Sequence, residues 1–150
     1  MAGLYGYVSA TKWLTEIELT TWDDVRGYWT TRGWSRDAPI KTQSRIDVPK
    51  SNADLAAGPQ PIAGVAWAPN RGIAKVEVQV DGGDWQECEL GRVASDDTWV
   101  QWQYAWDAAS GDHTIVARAT DGEGQTQTDQ AAPPAPDGAT GWPQRACHVR

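Results

Sequence analysis

Apolar and polar positions alternate with a two-residue period through most of the second half of the chain. Val76, Val78 and Val80 alternate with Lys75, Glu77 and Gln79, and Val100, Trp102, Tyr104 and Trp106 share one side of residues 98–106. Successive side chains of a strand point to opposite faces, so each run predicts a strand with one buried face. Over residues 113–120, Ile115 and Ala117 fall on one side and Val116 and Arg118 on the other. Residues 62–67 and 85–90 read as further strands. The punctuation is that of hairpins: Pro69-Asn70-Arg71-Gly72, Asp81-Gly82-Gly83-Asp84, Ser110-Gly111-Asp112 and Asp121-Gly122-Glu123-Gly124 place turn formers between these runs. A polar Gln/Thr strand is expected after the last of them. About six or seven short strands, roughly 8–12 residues apart and without a helix, predict an antiparallel β-sandwich of immunoglobulin-like type over residues 45–150. After residue 128 a Pro/Gly-rich loop leads to residues 143–150, which lack the alternation of a closing strand and predict a frayed terminus.

The first 44 residues have a different character. Residues 12–20 alternate imperfectly and read as a strand. Thr21 followed by Asp24 fits a capping box, so a short helix is expected next, ending by Gly33. Tyr5, Tyr7, Trp13, Trp22, Tyr28, Trp29 and Trp34 crowd this stretch. One strand and one helix cannot enclose so much aromatic surface, so residues 1–44 read as the edge of a larger α+β domain. The fold class is thus mainly β, a sandwich preceded by a short strand–helix remnant, divided into residues 1–44 and 45–150.

Composition narrows the functions available. The chain of 150 residues carries ten Trp, four Tyr and no Phe, and a formal charge of −7. That charge argues against nucleic acid as a partner. No apolar run is long enough to span a membrane, and the first residues lack the charged and apolar regions of a signal peptide. Cys88, Trp102 and Cys147 superficially mimic an immunoglobulin Cys…Trp…Cys frame. Arg145 stands where that frame wants a tyrosine, which favours two unrelated thiols, Cys88 being a small half-buried strand residue. His113 and His148 have no partner at a metal-ligand spacing. Asp96-Asp97 reads as a solvated turn, and the 121–126 stretch lacks the length and terminal Glu of a calcium loop. Phosphate-cradling and nucleophile motifs are absent, so no catalytic or metal-ligating residue is assigned. The stripe Trp102–Tyr104–Trp106 is core in one reading and a sugar-stacking platform in another, which makes a carbohydrate-binding sandwich the alternative function. A free-standing adaptor is a third.

Two stretches together resemble the sulfite-oxidase family of molybdopterin-dependent oxidoreductases. The first, SATKWLTEIELTTWDDVRGYWTTRGW, resembles the end of the family's cofactor-binding domain, with its Lys-Trp-Leu segment and Trp-x-x-Arg-x-aromatic ending. The second comprises IKTQSRIDVP, GVAWAPNRGIAKVEVQVDGGDW and DDTWVQWQYAWDAASGDHTIVARATDGEGQTQT, and resembles the family's C-terminal immunoglobulin-like dimerisation domain. The ordered set, rather than any one piece, carries the resemblance. It implies a homodimer formed through the sandwich, an upstream catalytic domain, and a molybdenum–molybdopterin cofactor in the complete enzyme. The family's molybdenum-binding Cys has no counterpart here, so this chain alone is expected to retain no cofactor and to be inactive. Thr11 and Lys12 match the segment that contacts the pyranopterin and its phosphate. Trp34 falls near an active-site Tyr of sulfite oxidases and Arg32 at the Arg beside it, both as substrate-pocket wall. Where the family carries a substrate-binding Arg in the Pro-rich loop, this chain has Asp137, which argues against sulfite itself. The resemblance leaves substrate, electron acceptor and compartment open.

Overall fold

Nine strands carry almost all the regular structure of the computed structural model, which describes residues 13–21 and 23–150. They are β1 (Gln43–Val48), β2 (Ala53–Leu55), β3 (Gly58–Trp67), β4 (Ile73–Val80), β5 (Gln86–Glu87), β6 (Glu89–Leu90), β7 (Val100–Ala108), β8 (Gly111–Asp121) and β9 (Gln144–Val149). One sheet has the order β1-β3-β7-β6 and the other β2-β9-β8-β4-β5. All pairs are antiparallel except β2 with β9. The inner faces meet in one core containing Ile46, Ile62, Val76, Val78, Trp102, Ile115 and Val149.

The alternation seen in the sequence is the alternation of burial. In β7, Val100, Trp102, Trp106 and Ala108 are buried, while Gln101, Gln103, Ala105 and Asp107 face solvent. Asp81 and Gly82 both have positive φ, 52° and 72°, and the Gly83 N–H bonds the Val80 carbonyl at 2.9 Å. That is the two-residue mirror-image turn whose twist matches a hairpin. Gly64 permits the closest approach in the core. A Cβ there would lie 1.8 Å from the Arg45 carbonyl oxygen and 2.7 Å from the Trp102 ring.

Four expectations need correction. The run 85–90 is not one strand. The Cys88 N–H bonds the Val76 carbonyl in one sheet, and Glu89 and Leu90 then pair with Gln103 and Trp102 in the other. Cys88, at the crossing point, is 5 % exposed. Residues 143–150 do not fray: β9 lies between β2 and β8, with Cys147 and Val149 buried. Cys and Val supply the inward positions there, and Gln144, Ala146 and His148 are exposed. The Gln/Thr strand after Gly124 reduces to a single bridge between Thr120 and Thr126.

The fourth correction concerns the N-terminal piece. Among the described residues, 14–21 form no strand, and the helix after Thr21 reduces to a 3-10 turn, Thr30–Arg32, stopped by Gly33 at φ 91°. The Thr21 hydroxyl bonds the Asp24 carboxylate rather than capping a backbone N–H. The physical reason is isolation. A strand needs a neighbouring edge, and a segment with Gly27, β-branched Val25, Thr30 and Thr31, and adjacent Tyr28 and Trp29 is a weak helix former without a surface to pack on.

Candidate functional site

At one end of the sandwich a strap, residues 38–42, runs into β1 and faces the Pro/Gly-rich loop that precedes β9. Between them opens a cleft of about 820 Å³ whose walls include Thr42, Trp67, Arg71, Asp121, Asp137 and Trp142. Its floor is an ion pair. The Arg71 Nε donates to Asp121 Oδ2 at 3.0 Å, with the two side chains 13 % and 1 % exposed. The Thr42 hydroxyl donates to the same oxygen at 2.6 Å, and the N–H groups of Glu123 and Gln125 donate to Oδ1 at 3.2 and 2.9 Å. Arg71 also reaches the Ile40 carbonyl at 3.1 Å. Burial works to raise the Asp121 pKa, but the bonds from Thr42, the Gln125 N–H and Arg71 outweigh it and hold the carboxylate below its ordinary range.

Gln127, 9 % exposed, is a second junction. Its Oε1 accepts from the Ser44 hydroxyl at 2.7 Å, its Nε2 donates to the Gly141 carbonyl at 2.8 Å, and its own carbonyl accepts from the Trp142 indole at 2.8 Å. Strap and loop are also joined directly. Lys41 Nζ donates to the Gly138 carbonyl at 3.1 Å and lies 3.8 Å from Asp137, and the Ser35 N–H donates to the Pro136 carbonyl at 2.8 Å. Asp137, expected to take the place of an anion-binding Arg, thus sits beside a cation. On the outer face of the five-stranded sheet Arg118 lies over Trp85 at 4.1 Å and pairs with Glu77 at 2.9 Å. Trp85 meets Trp142 edge-on at 5.0 Å, which staples the loop to that sheet.

The residues singled out from sequence are placed elsewhere. Thr11 and Lys12 lie outside the described residues. Arg32 stacks on the Tyr28 ring at 3.5 Å and donates to the Tyr28 carbonyl, and Trp34 meets Trp29 at 6.4 Å. Both belong to a small aromatic knot, and neither lines the cleft. Trp102 and Trp106 are 2 % and 9 % exposed, so the stripe read as a possible sugar platform is core. Large apolar side chains are instead exposed on residues 13–29, among them Leu19 at 100 %, Trp13 at 94 % and Ile17 at 83 %. Both cysteines are free and buried. Burial, reinforced by Glu77 and Glu87, pushes the Cys88 thiol up to about 12, so it is not a ready nucleophile or metal ligand.

The junction residues Thr42, Arg71, Asp121 and Gln127 escaped the sequence reading. Arg71 sits in a turn and Asp121 ends β8, and by sequence both read only as turn residues. They are 50 positions apart, and nothing local signals their pairing.

Comparison with known proteins agrees with this architecture. The sulfane dehydrogenase SoxCD of Paracoccus pantotrophus is similar in structure, with a TM-score of 0.61 and 23 % identity. The match covers 75 % of this chain and 33 % of that one, so the chain spans about a third of the length of the solved protein. The fibronectin(III)-like modules of Clostridium thermocellum CbhA match at a TM-score of 0.44 and 23 % identity, over 72 % of this chain and 96 % of theirs. No curated protein sequence matches the chain. The bacterial Ig domain family matches residues 43–117, from the first strand into the middle of β8. The two-sheet sandwich and this match make the chain a member of the bacterial Ig domain family.

Proposed function

We propose that the chain is the C-terminal region of a sulfite-oxidase-like molybdenum oxidoreductase, whose sandwich pairs two protomers and whose residues 1–44 close one wall of the cofactor site. The observation that carries this reading is the contrast between a closed sandwich core and the exposed Trp13, Leu14, Ile17, Leu19, Val25, Tyr28 and Trp29. Apolar surface of that extent on one short segment calls for a partner to cover it. An upstream catalytic domain is the natural candidate, given the ordered motifs along residues 9–128 and the likeness in fold to part of a sulfane dehydrogenase more than twice as long.

The described residues do not fit the metal itself. Among them no group of three or more His, Cys, Asp or Glu side chains could hold an ion, and the two thiols are buried with raised pKa. Molybdenum would therefore be held by the upstream domain. Thr11 and Lys12 are proposed to meet the pyranopterin and its phosphate, where a lysine cation suits a phosphate anion. Arg32 and Trp34 are proposed as pocket wall. Among the described residues Lys41, on the facing strap, is the cation nearest Asp137 of the Pro/Gly-rich loop, 3.8 Å away.

Two measurements on the purified chain test the proposal. Light scattering over a wide concentration range should show reversible dimers, and metal and pterin analysis should show neither molybdenum nor molybdopterin. A strict monomer at high concentration removes the pairing role. Stoichiometric cofactor in this chain refutes the assignment of cofactor binding to an upstream domain.

A further inference from the structure

We propose that the buried Arg71–Asp121 pair is an orientation lock: it fixes residues 38–42 to the sandwich, so that the polypeptide preceding them leaves in one direction. The identity of that preceding polypeptide rests on the function proposed above; the lock is a property of this chain. A connector without helix or ladder would ordinarily be a flexible hinge between two bodies. Here Arg71 joins three pieces of chain. Its planar guanidinium bonds the Asp121 carboxylate through Nε and the Ile40 carbonyl through Nη2, and two bonds from one rigid fork set direction as well as distance. Thr42 closes the triangle on the same carboxylate oxygen.

Each partner is itself held. Asp121 ends β8, and its other oxygen is occupied by two backbone N–H groups of the following turn. Arg71 sits in a turn pressed against Gly122, where a Cβ would lie 2.2 Å from the Arg71 carbonyl oxygen. Only a glycine lets the two turns approach this closely. The strap is tied on its other side by Lys41 to Gly138, the chain just before it by Ser35 to Pro136, and Ala38 is fully buried. A buried ion pair contributes little net stability compared with an apolar pair of the same volume, yet it is directional, which is what a lock needs.

Backbone ¹⁵N relaxation on the whole chain tests the lock. In the wild type, amide order parameters of residues 38–42 should match those of β3 and β8, near about 0.85. Arg71→Met should drop the strap below about 0.6 while the strands keep their values. Thr42→Val removes one strap bond and leaves the ion pair in place, and should give an intermediate loss. A strap already mobile in the wild type overturns the proposal, as does an equally rigid strap in a folded Arg71→Met protein. If Arg71→Met does not fold, Thr42→Val decides, and an unchanged strap then refutes the lock. None of these readouts involves dimers or cofactor, so failure of the functional assignment and failure of the lock are separate results.

Discussion

Raising the pH should weaken the end of the sandwich that carries His113. Its Nδ1 lies 2.6 Å from Asp81 Oδ2, and its Nε2 lies 2.8 Å from the Ala109 carbonyl oxygen. A carboxylate and a carbonyl only accept, so both ring nitrogens must carry protons and the geometry demands the imidazolium. The bond to Asp81 raises the His113 pKa most, the Ala109 carbonyl adds to it, and burial opposes both. Burial works to raise the Asp81 pKa, but the bonds from the Thr114 N–H and His113 prevail and lower it. A raised histidine contributes stability that is complete below its unfolded pKa and is lost as pH rises through the folded value. A lowered carboxylate contributes above its unfolded pKa and is lost as pH falls through its folded value. The contact is therefore strongest between roughly pH 4 and 6.5. A charge-assisted bond contributes about 1.5–3 kcal/mol. Asp81 is 47 % exposed, and solvent screening reduces the expected term to about 1 kcal/mol. The assay is urea unfolding of the wild type and Asp81→Asn across pH 5 to 9; Asn tolerates the positive φ at this turn. The stability advantage of the wild type should shrink by about 1 kcal/mol between pH 6 and 9. An advantage that does not change with pH refutes the reasoning, as do ring ¹⁵N shifts of neutral imidazole at pH 6.

Three further outcomes follow from the packing. Gly64→Ala should destabilise the fold by about 3 kcal/mol, because the new methyl meets backbone rather than a side chain that can swing away; a midpoint within 0.5 kcal/mol of wild type, again by order of magnitude, would contradict the close approach. Ending the chain at Pro143 deletes β9, removes the neighbour of β2 and one of the two neighbours of β8, and exposes the core that Val149 covers; thermal melts should lose their cooperative transition. Cys88 should react with a disulfide reagent at pH 8 at least about 100-fold more slowly in the native protein than in urea, and equal rates would place it at the surface.

The alternating runs around β4, β7 and β8 were legible because each strand has one face on a shared core, and periodicity reports that directly. The Asp81-Gly82 turn was legible because its positive φ values restrict the residue types. β9 was missed for the opposite reason: its inward residues are Cys and Val among polar neighbours, and the strand exists because β2 and β8 flank it. The split at Cys88 has no local mark either. A strand that changes sheets differs from a continuous one only in where its hydrogen-bond partners lie. Residues 14–21 err the other way, since alternation without an edge to pair with yields no strand.

The sequence by itself determined the two-sheet class, most of its turns and the apolar excess of the N-terminal piece, because these depend on spacing and residue type within a few positions. Only the tertiary structure decided that Arg71, Asp121, Thr42 and Gln127 meet, that the Trp102–Trp106 stripe faces inward, and that the C-terminal residues complete a sheet. Such facts join residues far apart in the chain. The free energy of a buried charge or a ladder bond is set by the partner the fold supplies, and local pattern does not encode that partner.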